Sequence, residues 1–203
     1  MRCRWMPLLI ATAFVVALAG CGGKSVTRID ADEQVDLSGN WNDTDSRFVA
    51  DAMIRDCMNH PWLPRHMNDP YSSERPVIVV GPIRNKAMEH IPVATFVKDI
   101  ERAFISDGRV RVVADAGDRA DVRAERESMQ DNVTFDTLKE FGKEVGADYV
   151  MVGQINQIID QEGGEKVTFF QTDLELINVE TNEKVWIGDH KIKKFIEQGR
   201  YSK

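Results

Sequence analysis

The sequence contains fewer basic than acidic residues. Its 203 residues include 26 Lys and Arg against 33 Asp and Glu, which gives a formal net charge of -7. Nucleic-acid binding depends on neutralising phosphates with Lys and Arg, so this balance argues against a nucleic-acid partner. It also disfavours a broad electrostatic contact with anionic lipid.

The recognised catalytic motifs are missing as well. The sequence has no Gly-x-Ser-x-Gly elbow, no phosphate-binding glycine loop, no His-Glu-x-x-His helix and no Ser-x-x-Lys. Cys57-x-x-His60, with His66 and His90 farther along, resembles a partial zinc set, but no recognised spacing supplies the fourth ligand. We therefore predict no catalytic residue, no metal and no cofactor. A catalytic carboxylate pair stays open, because a sequence does not show which acids lie close together.

An apolar run near the start of the chain ends in Leu18-Ala19-Gly20-Cys21, which resembles the lipobox of bacterial lipoproteins. A positively charged start, a short apolar stretch and a small-residue pair are the parts of a secretory signal peptide. The run is shorter than the roughly 20 apolar residues of a membrane span. We predict a cleaved signal peptide over residues 1–20, recognised by the peptidase at Leu18, Ala19 and Gly20, and a lipidated Cys21. The alternative is an ordinary secretory signal with a chance cysteine.

Acyl chains on Cys21 would anchor the protein without a spanning segment, because two or more buried chains hold a protein stably on a membrane. In bacterial lipoproteins an Asp after the lipidated cysteine favours the inner membrane, and this chain has Gly22. We therefore expect an outer-membrane lipoprotein that faces the periplasm. Without its signal peptide the chain keeps 24 basic residues against 33 acidic ones, a formal charge of -9.

Cysteine is scarce, and this excludes a disulfide within the mature chain. Of three cysteines, Cys3 leaves with the signal peptide and Cys21 carries lipid, so Cys57 is the remaining thiol. Val49 and Met53 precede it at helical spacing, which places the thiol on an apolar stripe. We predict a buried Cys57, with a partner disulfide or a reactive thiol as the alternatives.

The mature chain divides into a tether and one domain. Residues 21–40, the lipidated N-terminus and a flexible tether, are small and polar and contain no proline. Residues 41–203 carry apolar periodicity throughout, and their length suits a single globular periplasmic domain with a substantial core.

Apolar periodicity predicts the elements of this domain. Helices are expected over 45–59, 92–107, 118–131 and 134–146. Strands are expected over 76–81, 110–114, 149–160, 167–178 and 184–195. His60-Pro61 and Gly108 should end the first two helices, and Gly163-Gly164 and residues 180–183 should form hairpin turns. The fold class is therefore α/β, a small mixed sheet with a C-terminal antiparallel meander flanked by helices.

Two finer predictions concern individual side chains. In the strand over 167–178, Phe170, Leu174 and Leu176 should face the core, with Thr168, Asp173 and Glu175 on the solvent side. The segment over 62–75 is rich in turn residues and should be an ordered loop. Its candidate partner-binding residues are Trp62, Leu63, His66, Met67 and Tyr71, because aromatic and Met side chains on loops are favoured at protein interfaces. The alternative is a loop folded over the core.

Four stretches together resemble the penicillin-binding protein activator LpoB family. They are Asp56 to Leu63, Pro76 to Gly81, Val145 to Ile155 and Thr181 to Trp186, within a similarity that spans residues 48–195. The resemblance implies an outer-membrane lipoprotein whose domain is similar to the amino-terminal domain of TolB. It also implies a non-catalytic protein that docks onto a regulatory domain of a class A penicillin-binding protein and stimulates glycan polymerisation and cross-linking. The short tether without proline departs from the long Pro-rich tether of that family.

We thus predict a lipid-anchored activator of a class A penicillin-binding protein that regulates peptidoglycan synthesis. Which synthase it binds, through which face and in what oligomeric state are questions that the sequence leaves open. One alternative is an envelope assembly or secretion-apparatus lipoprotein that acts as an oligomeric component. Another is an envelope enzyme whose carboxylates are not recognisable from sequence.

Overall fold

A computed structural model describes residues 26–30, 33–72, 75–113 and 146–197. The described residues from Gln34 onward form one compact unit. The predicted signal peptide, Cys21 and the predicted helix over 118–131 lie outside the described residues, as does the helix over 134–146 except for its last residue.

The first helix, α1, runs from Asp43 to Asn59 and was predicted with a start two residues later. It begins at a capping box, in which the Asn42 side chain accepts from the Asp45 amide and the Asp45 carboxylate accepts from the Asn42 amide. It ends before His60, as predicted. Cys57 lies on its buried face and is fully enclosed, so the predicted burial of the thiol is confirmed.

A short helix, α2 (Trp62–Asn68), occupies the first part of the segment predicted as a loop, so that prediction was wrong there. Pro61 precedes it with helical backbone angles (φ -59°), and Pro64 lies in its first turn, where a missing N–H removes no helical hydrogen bond. The inward-facing side chains are Trp62, Leu63 and His66, at helical spacing. Turn-forming composition therefore concealed a helix of two turns.

The third described helix, α3, runs from Val93 to Asp107; it was predicted with a start one residue earlier, at Pro92, which is its N-cap. Phe96, Ile100 and Phe104 form its fully buried stripe. Gly108 ends it in the left-handed conformation (φ 78°), which glycine adopts without steric cost.

Five strands form one mixed sheet among the described residues. They are β1 (Val77–Asn85), β2 (Arg111–Val112), β3 (Tyr149–Glu162), β4 (Glu165–Asn178) and β5 (Lys184–Glu197). Their order is β2-β1-β3-β4-β5, with β1 parallel to β2 and β3 and with an antiparallel meander from β3 to β5. The predicted fold class and the predicted Gly163-Gly164 turn are confirmed.

The two faces of the sheet differ. The helix-covered face, against which α1 and α3 pack, holds the main core. Even-numbered residues of β4 point into it, so the prediction of a solvent-facing Thr168 was wrong: the alternation places Thr168 with Phe170 rather than opposite it. Thr168 and Thr172 are fully buried, and neither hydroxyl has a hydrogen-bond partner among the described residues. Asp173 and Glu175 lie on the open face, as predicted, and are half-buried.

The meander extends beyond the parallel part of the sheet. β1 ends at Asn85, opposite Ile155 of β3, whereas β3 and β4 stay paired to their common turn. We call this extension the β arm and define it as residues 156–171 with the adjoining residues 191–197 of β5. Its strands have β-sheet partners only from each other among the described residues.

Residues 34–40, assigned from sequence to the tether, pack against the β arm. The Lys194 ammonium donates to the Asp36 carboxylate at 2.8 Å, to the Asn40 carbonyl at 3.0 Å and to the Asp45 carboxylate at 2.6 Å. Gly39 packs against Ile196 so closely that a side chain there would clash. These residues therefore belong structurally to the compact unit that forms the domain.

Candidate partner-binding surface

Two of the five candidate residues, Trp62 and Leu63, lie in the core. Each is 2% exposed. The Trp62 indole N–H donates to the Cys57 carbonyl at 2.7 Å, and its ring meets that of Tyr149 edge-on at a centroid distance of 5.0 Å. Trp62 thus joins the end of α1 to the start of β3.

His66 is also buried, with 6% exposure, and is held by polar contacts. Its Nδ1 lies 3.0 Å from the Tyr149 hydroxyl, and its Nε2 lies 4.0 Å from a carboxylate oxygen of Asp148. That Asp148 oxygen also accepts a hydrogen bond from the Val77 amide at 2.8 Å. Burial raises the pKa of the Tyr149 hydroxyl. His66 therefore fastens α2 to the first residues of β1 and β3.

The remaining two candidates, Met67 and Tyr71, are at the surface. Met67 is 45% exposed and Tyr71 is 97% exposed. The Asp69 carboxylate accepts from the Tyr71 amide at 3.0 Å and from the Ser72 hydroxyl at 3.2 Å, a local turn that holds the tyrosine outward. We call Met67 and Tyr71 the α2 surface. It is the part of the predicted site that another protein can touch.

The open face of the sheet contains a cleft that the sequence did not indicate. Its volume is about 640 Å³, and its charged side chains are Arg84, Asp173, Glu175 and Lys184. Lys184 and Glu175 form an ion pair at 2.7 Å, and Asp173 accepts from the amides of Asn156 and Gln171. The alternation along β4 predicted that Asp173 and Glu175 face solvent. The cleft, however, depends on how these residues are placed relative to β1 and β5, and only the order of strands in the sheet reveals that placement.

Two kinds of feature, a cluster of metal-ligating side chains and a membrane-spanning helix, are not found among the described residues. No three His, Cys, Asp or Glu side chains within 26–30, 33–72, 75–113 and 146–197 are grouped so as to hold a metal ion. No helix over the same residues has the length and apolar character of a membrane span.

Comparison with known proteins identifies a family. The family model described as peptidoglycan-synthase activator LpoB matches residues 45–192. No individually curated protein matches the chain in sequence.

Several solved structures are similar to the chain. The LpoB C-terminal domain from Salmonella enterica is 14% identical with a TM-score of 0.49, over 76% of this chain and 99% of that one. The LpoB C-terminal domain from Escherichia coli is 16% identical with a TM-score of 0.45, over 74% of this chain and 99% of that one. Lipoprotein GNA1162 from Neisseria meningitidis is 15% identical with a TM-score of 0.42, over 62% and 88% respectively.

The assignment rests on the family model, which covers well over half of the chain, from the first helix to the last strand. It agrees with the resemblance carried by the α1–α2 junction, β1, β3 and the β4–β5 turn. The chain belongs to the LpoB family of peptidoglycan-synthase activators.

Proposed function

We propose that this protein is an outer-membrane lipoprotein that binds a class A penicillin-binding protein in the periplasm and activates it. The observation that carries the proposal is the match of the LpoB family model over residues 45–192. The lipobox that ends at Cys21 supplies the anchor and the compartment.

The activation would be a shift of population. A protein that binds the active conformation of a synthase more tightly than the inactive one raises the active fraction by that difference in affinity. Such an activator needs a contact surface and no catalytic group of its own, in keeping with the lack of recognised catalytic motifs in the sequence. The catalytic groups of the reaction belong to the synthase.

The reach of the anchor bears on where the two proteins meet. Between Cys21 and Gln34 the chain has only a short stretch, which spans at most about 45 Å when fully extended. The synthase must therefore extend toward the outer membrane to meet the domain.

The α2 surface is one proposed contact, since Met67 and Tyr71 are accessible and Tyr71 is held outward by its turn. The buried candidates Trp62, Leu63 and His66 would act through it, by fixing α2 on the sheet. Changing Met67 and Tyr71 to serine should weaken binding to the synthase without changing the stability of the domain.

The proposal is tested with the full-length protein, purified from membranes in detergent, against each class A penicillin-binding protein of the same bacterium. We expect saturable binding to one synthase. The matched control for the Met67→Ser/Tyr71→Ser protein is Ile105→Ser, since Ile105 is a 63% exposed apolar residue on α3. Absence of binding to every class A synthase would contradict the proposed function.

The anchor is tested separately by membrane fractionation. Cys21→Ser should release the protein from the outer membrane, because the acylated side chain is lost. Cys3→Ser, in the part of the signal peptide that is removed, is the matched control and should leave the protein anchored. Retention of the Cys21→Ser protein in the outer membrane would contradict lipidation at Cys21.

A further inference from the structure

Residues 34–40, here called the strap, are where the chain that follows the predicted anchor at Cys21 joins the domain. Five of these seven residues are exposed, Val35 is half-buried and Gly39 is buried. The strap adds no strand to the described sheet, and a cleft of about 410 Å³ lies between it and residues 193–197 of β5. Segments with few buried apolar contacts open at a lower free energy than the core does. The strap is therefore a weakly held part of the domain.

The polar contacts of the strap centre on the Lys194 ammonium of β5. This group donates to the Asp36 carboxylate and to the Asn40 carbonyl. The Asn42 side-chain amide donates to the same Asp36 oxygen at 2.7 Å. The Asp36 side chain is 41% exposed, and exposed ion pairs contribute little to stability. These contacts can therefore break without unfolding the domain.

Trp41, the residue after the strap, is held much more firmly. It is 9% exposed, and its ring meets those of Phe96 and Phe170 edge-on at centroid distances of 5.9 and 5.5 Å. Its indole N–H donates to the Ser46 hydroxyl at 2.8 Å, and its amide donates to the Glu89 carboxylate at 2.6 Å. Trp41 thus connects α1, α3, β4 and the loop after β1. A chain pulled from its N-terminal side would detach as far as Trp41 and stop there.

We propose that the strap is a releasable extension of the tether, and that tension in the chain detaches it from Lys194 while Trp41 keeps the domain closed. This inference rests on the proposed function, because the tension comes from an anchor at Cys21 and a synthase bound to the domain. With the strap attached, the chain from Cys21 to Gln34 spans at most about 45 Å. With the strap released, the chain from Cys21 to Trp41 spans at most about 70 Å.

Release therefore adds up to about 25 Å to the distance at which an anchored domain can meet the synthase. The order of residues along the chain suits this role. Tension from Cys21 reaches Asp36 first, then Asn40, and only afterwards the packed side chain of Trp41. The weakest contacts thus bear the load before the core does.

The experiment measures the extension of single full-length molecules under force, with the protein purified from membranes in detergent. One handle is coupled at Thr27→Cys, ahead of the strap, and the other at Ser106→Cys, an exposed position on α3. Cys57 is buried, which keeps its thiol out of the coupling reaction. We expect a reversible lengthening of at most about 25 Å at a force below that which unfolds the domain.

Substitutions on both sides of the contact identify this step. Lys194→Met should abolish it, because the strap is then already detached, and Asp36→Ala should shift it to a clearly lower force. The matched controls are Lys193→Met, at the exposed neighbouring lysine, and Glu33→Ala, at an exposed acid just before the strap. Both controls should leave the step unchanged. Thermal unfolding of every variant checks the fold, and if Lys194→Met does not fold, Asp36→Ala decides the question.

The outcomes separate the inference from the proposed function, because the experiment contains no synthase. If the unchanged protein lengthens only when the domain unfolds, the releasable strap is overturned while the proposed function stands. The same holds if folded Lys194→Met and Asp36→Ala proteins show the step at the same force as the unchanged protein. If the step is present but no class A synthase binds the protein, the role of the strap in reaching a synthase is overturned together with the proposed function.

Discussion

The His66 Nδ1 atom lies 3.0 Å from the Tyr149 hydroxyl oxygen, and this contact joins residues 83 positions apart in the chain. It fastens the short helix α2 to the first residue of β3, at the edge of the core. A histidine that looks like a candidate for partner recognition in the sequence thus has a structural role, which leaves Met67 and Tyr71 as the accessible residues of that segment.

Tyr149→Phe removes the hydroxyl from this contact. The buried imidazole then loses this contact, so we expect the free energy of unfolding to fall by about 0.5–1.5 kcal/mol. Urea denaturation measures the change. Tyr71→Phe is the matched control, since Tyr71 is 97% exposed, and it should be neutral. Equal stability of the two variants would contradict a structural role for the His66–Tyr149 contact.

A substitution at the fully buried Thr172 should raise, rather than lower, the stability of the domain. Its hydroxyl has no hydrogen-bond partner among the described residues. Thr172→Val keeps the shape and removes an unpaired polar group, so we expect stabilisation by about 1 kcal/mol, measured by urea denaturation. Thr181→Val, at an exposed turn position, is the comparison. A clear loss of stability at position 172 would mean that its hydroxyl is hydrogen-bonded in solution.

Lys194→Met tests how residues 34–40 are held. The variant leaves Asp45, whose side chain is 9% exposed, without the Lys194 ammonium. We therefore expect the free energy of unfolding to fall by about 3 kcal/mol at most. Hydrogen exchange in residues 34–40 should accelerate while that of β3 and β4 changes little. Lys193→Met, at the exposed neighbouring position, is the control. Unchanged protection of residues 34–40 would contradict a clamp at Lys194.

The same contact predicts a pH dependence. The hydrogen bond from Lys194 holds the pKa of Asp36 below its ordinary value of 3.8. The stabilisation that Asp36 contributes to the attachment of residues 34–40 is therefore complete above pH 3.8 and is lost as pH falls through the lowered pKa. Burial alone would lower the pKa of Lys194, but hydrogen bonds to Asp36 and Asp45 outweigh it and raise that pKa above 10.5. The contribution of Lys194 is therefore complete below pH 10.5 and is lost as pH rises through the raised pKa. Protection of residues 34–40 should be constant between these limits, and the Lys194→Met protein should lack both transitions.

Cys57 should be inert in the folded protein. The side chain is fully buried, and burial raises the pKa of its thiol, so little reactive thiolate forms. Labelling by a thiol reagent at pH 8 should be slow in the native protein and immediate in urea. Equally fast labelling in both conditions would point to an accessible thiol and to the alternatives of a partner disulfide or a reactive site.

The sequence predicted most of the framework because the framework depends on local pattern. The stripe of Phe96, Ile100 and Phe104 and the glycine at 108 define α3 whatever surrounds it. The β-branched run from Val77 to Val80 likewise defines a strand that is buried on both faces.

The errors arose where local pattern was ambiguous or where distant contacts decide. The prolines at 61 and 64 suggested a loop, yet both occupy positions that a helix start tolerates. Residues 34–40 look like a tether, and their attachment depends on Lys194, more than 150 positions later. The cleft on the open face was missed because it needs the order and register of β1, β3, β4 and β5 together.

The central claim is activation of a synthase, and its most direct measurement is the rate of glycan polymerisation and of peptide cross-linking by each class A penicillin-binding protein, with and without the full-length protein in stoichiometric amount. We expect both rates to rise several-fold for one synthase, and no product from this protein alone. Unchanged rates for every synthase, or release of soluble fragments from peptidoglycan by this protein alone, would contradict the account.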